Sequence, residues 1–198
     1  MAEDLGYLYG ISGIEASRAN VFLLQQDWKA AQQASTRALH SARSIGHRNS
    51  ESFALENMGL ALGGVGLAEE ALASLEQAIQ IAISISDPSR RDSARLSYAW
   101  VALQNGMTER CRLAVSELPS DISPELAPWK RTMEQTLETL DTGNASALHA
   151  SIEREEKSST TEDHLRRLDA AILLAERAGD IAANEELVAR RKEVFKDS

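Results

Sequence analysis

Residues 55–78 read Leu-Glu-Asn-Met-Gly-Leu-Ala-Leu-Gly-Gly-Val-Gly-Leu-Ala-Glu-Glu-Ala-Leu-Ala-Ser-Leu-Glu-Gln-Ala. The second half of this stretch opens a helix predicted over 68–85. Ala68, Ala71, Leu72, Leu75, Ala78, Ile79 and Ala82 recur three or four residues apart and make one apolar stripe. Glu69, Glu70, Glu76 and Gln77 take the opposite side. Upstream, Phe53, Leu55, Met58, Leu62 and Val65 mark a second helix, and Gly63-Gly64-Val65-Gly66 closes it and turns the chain back. The outcome is an antiparallel helical hairpin with a very short loop.

Punctuation elsewhere fits the same plan. Gly46 can end a helix and Asn49 can cap the next. Asp87-Pro88 sets a capping acceptor before a proline at the first helical position, and Ser123-Pro124 repeats the device. Ser159 and Glu162 have the spacing of a capping box, and Gly179-Asp180 is a stop followed by a new cap. These signals predict about ten helices, over 3–25, 28–45, 50–64, 68–85, 88–104, 108–118, 124–141, 144–156, 160–178 and 180–196. No segment reads as a strand.

Self-similarity organises the helices. Ala19, Gly59 and Ala99 fall 40 residues apart, as do Ala31, Ala71 and Cys111 in the helices that follow. Ala38 and Ala78 continue the register, with Leu118 as a bulkier third member. Two helices approach closely only where side chains are small, and one hairpin cannot bury both its faces. The expected fold is therefore all-α: an α-solenoid of about five antiparallel hairpins. Residues 1–119 hold three regular units, and 120–198 hold two divergent hairpins ending in a polar capping helix.

The pattern Leu55-x2-Met58-Gly59-x2-Leu62-x3-Gly66-x4-Ala71-x3-Leu75-x2-Ala78 resembles the tetratricopeptide repeat. The first unit matches through Ala19, Phe22, Asp27-Trp28, Ala31 and Ala38, and the third through Tyr98-Ala99 and Gly106. The likeness covers residues 11–118, in units of 40 against about 34 for the family. Longer units of this kind look like the arrays of bacterial regulators. The resemblance implies a right-handed superhelix whose first helices line a concave groove. Carried over by position, the groove takes Asn20, Phe53, Asn57, Leu60, Leu96, Trp100 and Leu103. Members that hold a chaperone's terminal carboxylate use cations where this chain has Ala16, Ser93 and Ser97, so that ligand is rejected. The apolar strip suits an amphipathic helix or apolar peptide.

Composition narrows the classes. Hydrophobic residues make up 43% of the chain and aromatics only 5%, which favours closely packed helices over sheets. A net charge of −9 makes nucleic acid a poor partner. No run approaches the roughly 18 apolar residues of a membrane span. The first residues lack the basic and apolar segments of a secretion signal, and a single cysteine fits a reducing compartment, so a cytoplasmic location is expected.

No phosphate loop, dinucleotide fingerprint, nucleophile elbow or metalloprotease helix occurs. None of His40, His47, His149 and His164 pairs with another at a close ligand spacing. Cys111 stands where the repeat needs a small buried side chain and acts there as a small hydrophobe. Glu153, Glu155 and Glu156, interleaved with Arg154 and Lys157, read as a solvated face. Arg90, Arg91 and Arg95 form a basic patch, with Arg90 and Arg91 in a first helical turn where positive charge opposes the dipole, although Asp87 and Asp92 lie near. The expectation is a non-enzymatic scaffold with no catalytic residue, metal or cofactor. The alternative is a self-associating domain of a larger enzyme or transcription regulator, with a homodimer as its assembly.

Overall fold

The structure, a computed structural model, describes residues 2–144 and 160–196, with side chains over 8–144 and 160–195. Among the described residues all regular structure is helical, in nine helices. They are α1 (Ala2–Leu24), α2 (Trp28–Ser44), α3 (Arg48–Gly64), α4 (Ala68–Ser84), α5 (Pro88–Gln104), α6 (Thr108–Ser116), α7 (Ala127–Thr142), α8 (Thr161–Ala178) and α9 (Ile181–Lys196). The helix expected over 144–156 lies outside the described residues, as do Glu153, Glu155 and Glu156. The chain divides between Ile122 and Ser123 into two compact units.

The first unit has a shorter period than its sequence advertises. Helices α2 to α5 are each 17 residues long and are separated by three-residue links. A left-handed residue occurs every 20 positions: Gln26 (φ 58°), Gly46 (66°), Gly66 (82°), Ser86 (56°) and Gly106 (78°). Each link makes the same pair of bonds. The amide after the left-handed residue reaches the carbonyl five back, as His47 to Ala42, Leu67 to Leu62, Asp87 to Ala82 and Met107 to Ala102. The left-handed residue itself bonds three back. These pairs satisfy the carbonyls orphaned at a helix end.

Helix starts are less uniform. Asp27 accepts from the Ala30 amide at 3.0 Å and Asp87 from the Arg90 amide at 2.9 Å. The α3 cap is His47, which accepts from the Ser50 amide at 3.3 Å, in place of the expected Asn49. Asn49 lies inside the helix and donates instead to Asp87 Oδ2 at 3.0 Å. Leu67 and Met107 supply no side-chain cap.

Within the first unit each helix packs on the next, and α3 also packs directly on α1 and on α5. Small residues set the spacing. Ala19, Ala31, Ala38, Ala71, Ala78, Ala99 and Cys111 are wholly buried, with no exposed surface. Gly63 and Gly64 belong to α3 rather than to the turn, and they admit neighbours. A Cβ on Gly63 would lie 2.8 Å from the Val101 methyls, and one on Gly64 would enter the Trp28 ring.

In the second unit α7 packs on α8 and α8 on α9. Trp129, Met133, Leu137, Leu165, Leu168 and Ala171 form the core, with the Arg166 guanidinium 3.9 Å over the Trp129 ring. Ser123-Pro124 makes a turn ahead of α7, which begins three residues later than expected. The α8 cap is Thr160, whose hydroxyl accepts from the Asp163 amide at 3.2 Å, so the capping pair sits one residue beyond Ser159 and Glu162. Gly143 and Gly179 close their helices in the left-handed conformation. The Asp180 carboxylate accepts from the Ala183 amide at 3.1 Å.

Candidate interaction surface

The side formed by α1, α3 and α5 is built by repetition. Positions 20, 60 and 100 are equivalent, and Asn20, Leu60 and Trp100 are all half-buried there. Leu60 rests against the cluster of Leu23, Ala31 and Ala61. Phe53 rests against Ala16, Ala38 and Ala54, and the Arg90 guanidinium stands 4.6 Å from its ring centroid. A cation over an aromatic face is attracted by the ring quadrupole, so Arg90 partly roofs Phe53.

The other expected groove residues lie inside. Leu96 and Leu103 have no exposed surface. Asn57 is 2% exposed, and its amide donates to the Ala16 carbonyl at 3.1 Å, tying α3 to α1. The surface is therefore narrower than the strip read from the sequence: Asn20, Phe53, Leu60 and Trp100 reach solvent, while Asn57, Leu96 and Leu103 hold helices together. An apolar residue facing a neighbouring helix and one facing a ligand have the same chemistry, so sequence pattern alone could not separate them.

The basic patch is compensated from within. Arg90 Nη1 lies 3.4 Å from Glu56 Oε2, Arg91 Nε 2.7 Å from Asp92 Oδ1, and Arg95 Nη2 3.4 Å from Glu117 Oε2. The Asp92 carboxylate beside Arg91 pushes that guanidinium's pKa up, against a smaller opposing effect of burial. The three arginines are ion-paired, and Asp92 and Glu56 are both 4% exposed.

Glu56 is the residue that sequence reasoning undervalued. Its buried Oε1 accepts from Ser93 at 2.8 Å and from Ser97 at 2.7 Å. Together with Arg90 these donors come from α5, so one carboxylate on α3 gathers three side chains of the next odd helix. Burying a carboxylate is tolerable only with such donors. The i, i+4 spacing of Ser93 and Ser97 was the available signal.

Elsewhere several titratable groups are paired. Glu15 accepts from Arg37 Nε at 2.9 Å and from Arg18 at 2.9 Å. The Arg37 hydrogen bond is the main reason its pKa lies below the ordinary carboxylate value, burial acting the other way. Burial raises the Tyr98 phenol, with Glu76 adding to the effect. His40 is exposed, His47 caps a helix and His164 is buried. Cys111 is fully buried. Among the described residues no three His, Cys, Asp or Glu side chains converge as metal ligands, and no helix is long and apolar enough to cross a membrane.

No protein-family model matches this chain, and no curated protein matches it.

Proposed function

We propose that the first unit is a non-enzymatic protein- or peptide-binding module of the tetratricopeptide type, a right-handed stack that grips its partner along the α1, α3 and α5 side. The observation that carries this reading is the ladder of half-buried side chains at one repeat position, Asn20, Leu60 and Trp100. A repeated position that stays partly exposed in every unit leaves side-chain surface that stacking of the units does not use up. The packing supports a concave inner side: the odd helices pack on one another more extensively than the even helices do. Phe53 extends the surface at one end, roofed by Arg90.

The partner suited to this surface is an amphipathic helix or apolar peptide, anchored by Trp100 and Leu60 and oriented by Asn20. A cytoplasmic setting belongs to the same proposal and rests on the lone cysteine. The test is affinity capture from native extract with the wild-type chain and with Trp100→Ala, followed by mass spectrometry. The expected result is a protein retained by the wild type and lost from a variant that is still helical. The same proteins retained equally by both would remove the surface from consideration.

A further inference from the structure

Repetition also identifies a face of α1 that lacks the cover its counterparts have. Forward by 40 residues, Ile14 becomes Ala54 and then Ala94; Val21 becomes Ala61 and then Val101; Ser17 becomes Asn57 and then Ser97. In α3 and α5 all six of these residues are at most 2% exposed. In α1, Ile14 is 62% exposed and Val21 is 50% exposed. The bonds show where this face points: Asn57 reaches back to Ala16 on α1, and Ser97 reaches back to Glu56 on α3. It is the face that, in α3 and α5, receives the preceding odd helix.

We propose that this face of α1 pairs with the same face of α1 in a second copy of the chain, giving a closed two-fold dimer.

Three observations select a second copy paired in this way. First, the strip is complementary to itself. An antiparallel pair of α1 helices about a two-fold axis midway between Ile14 and Ser17 sets Val21 over Gly10 and Ile14 over Ser17, large on small. Gly10 and Gly13 leave open space there, with nothing within 4 Å of a Cβ built on either. Second, the strip carries little charge. Its one ionic side chain among the described residues, Arg18, is paired with Glu15 at 2.9 Å, a carboxylate it shares with Arg37, so an identical face brings little like-charge repulsion. Third, head-to-tail stacking of α1 on α5 is closed off. The forward positions on α5, matching Glu56 and Gly63 on α3, are Leu96 and Leu103, and both are fully buried. A second copy has no open forward face on α5 to offer, and the α1 face itself remains.

Sedimentation velocity of the 198-residue chain over a concentration series tests this. The wild type should pass from monomer to dimer as concentration rises, while Ile14→Lys stays monomeric with an unchanged helical circular dichroism spectrum. Val21→Lys serves as a second probe should Ile14→Lys unfold. Trp100→Ala should dimerise normally, which separates this surface from the proposed groove. Pairing Ile14→Cys with Ser17→Cys should yield a covalent dimer on mild oxidation, and Val65→Cys, exposed at a link, should not. A wild type that remains monomeric throughout, or a dimer that survives both lysine variants, would overturn the proposal.

Discussion

Gly59 of α3 sits against Leu75 of α4 so closely that a Cβ on the glycine would lie 2.5 Å from Leu75 Cγ and 3.0 Å from the Ala71 carbonyl oxygen. Gly59→Ala should therefore destabilise the chain by about 1–3 kcal/mol, although alanine favours a helix over glycine by about 1 kcal/mol. Shortening the neighbour should restore the space, so Gly59→Ala with Leu75→Ala should lose less than the two single changes summed. Urea unfolding of the four proteins measures the coupling. Additive losses would mean that the helices do not meet at Gly59.

Trp100 and Leu103 separate surface from core on a single helix. Leu103→Ala should cost about 2–5 kcal/mol, since the side chain is fully enclosed. Trp100→Ala, at a half-buried site, should cost less than that and weaken the captured partner by roughly 2 kcal/mol or more. Thermal melts with titration calorimetry on the same samples check both. A Trp100→Ala loss as large as that of Leu103→Ala would make Trp100 a core residue.

Two of the five equivalent links hold a side chain in the left-handed conformation that favours glycine. Ser86→Gly should relieve a strain of roughly 1–2 kcal/mol and return part of it as unfolded-chain entropy, for a net gain of about 0.5–1 kcal/mol. Gly66→Ala, at φ 82° with free space around it, should lose about 1 kcal/mol through conformation alone. Chemical denaturation of both variants tests the pair, and opposite signs are expected.

Glu15 makes stability depend on acidity. Its folded pKa is lowered, chiefly by the Arg37 hydrogen bond, so its contribution is complete at neutral pH. That contribution fades as pH falls from the unfolded value of about 4.3 through the lower folded one. Glu15→Gln should cost up to about 1 kcal/mol near pH 7 and progressively less in acid. A deficit that stays constant with pH would assign the loss to packing.

Much of this architecture could be read in advance because close helix contacts demand small residues, and Ala19, Gly59 and Ala99 mark them 40 apart. The 20-residue identity of the links was hidden for a physical reason. Gln26 and Ser86 occupy left-handed positions where glycine is the usual signal, and nothing in either side chain announces that conformation. Caps slipped by one or two residues at His47 and Thr160 because several capping-competent side chains lie side by side there. Leu96 and Leu103 looked like groove residues because burial against a helix and burial against a partner select the same side chains. The serine partners of Glu56 lie 37 and 41 residues further along, on α5, so nothing in the local pattern of α3 marked it as buried.

The main contacts of α1 to α6 among the described residues join helices one or two steps apart, so the first helix and the last are tied chiefly through the helices between them. Such an array has low contact order, so it should fold fast, from whichever hairpin forms first. It should also respond to a pulling force as a row of hinged plates, yielding one junction at a time where a globular core would break all at once. Load applied along α1 to α6 would open the weakest seam and leave the hairpins beyond it intact.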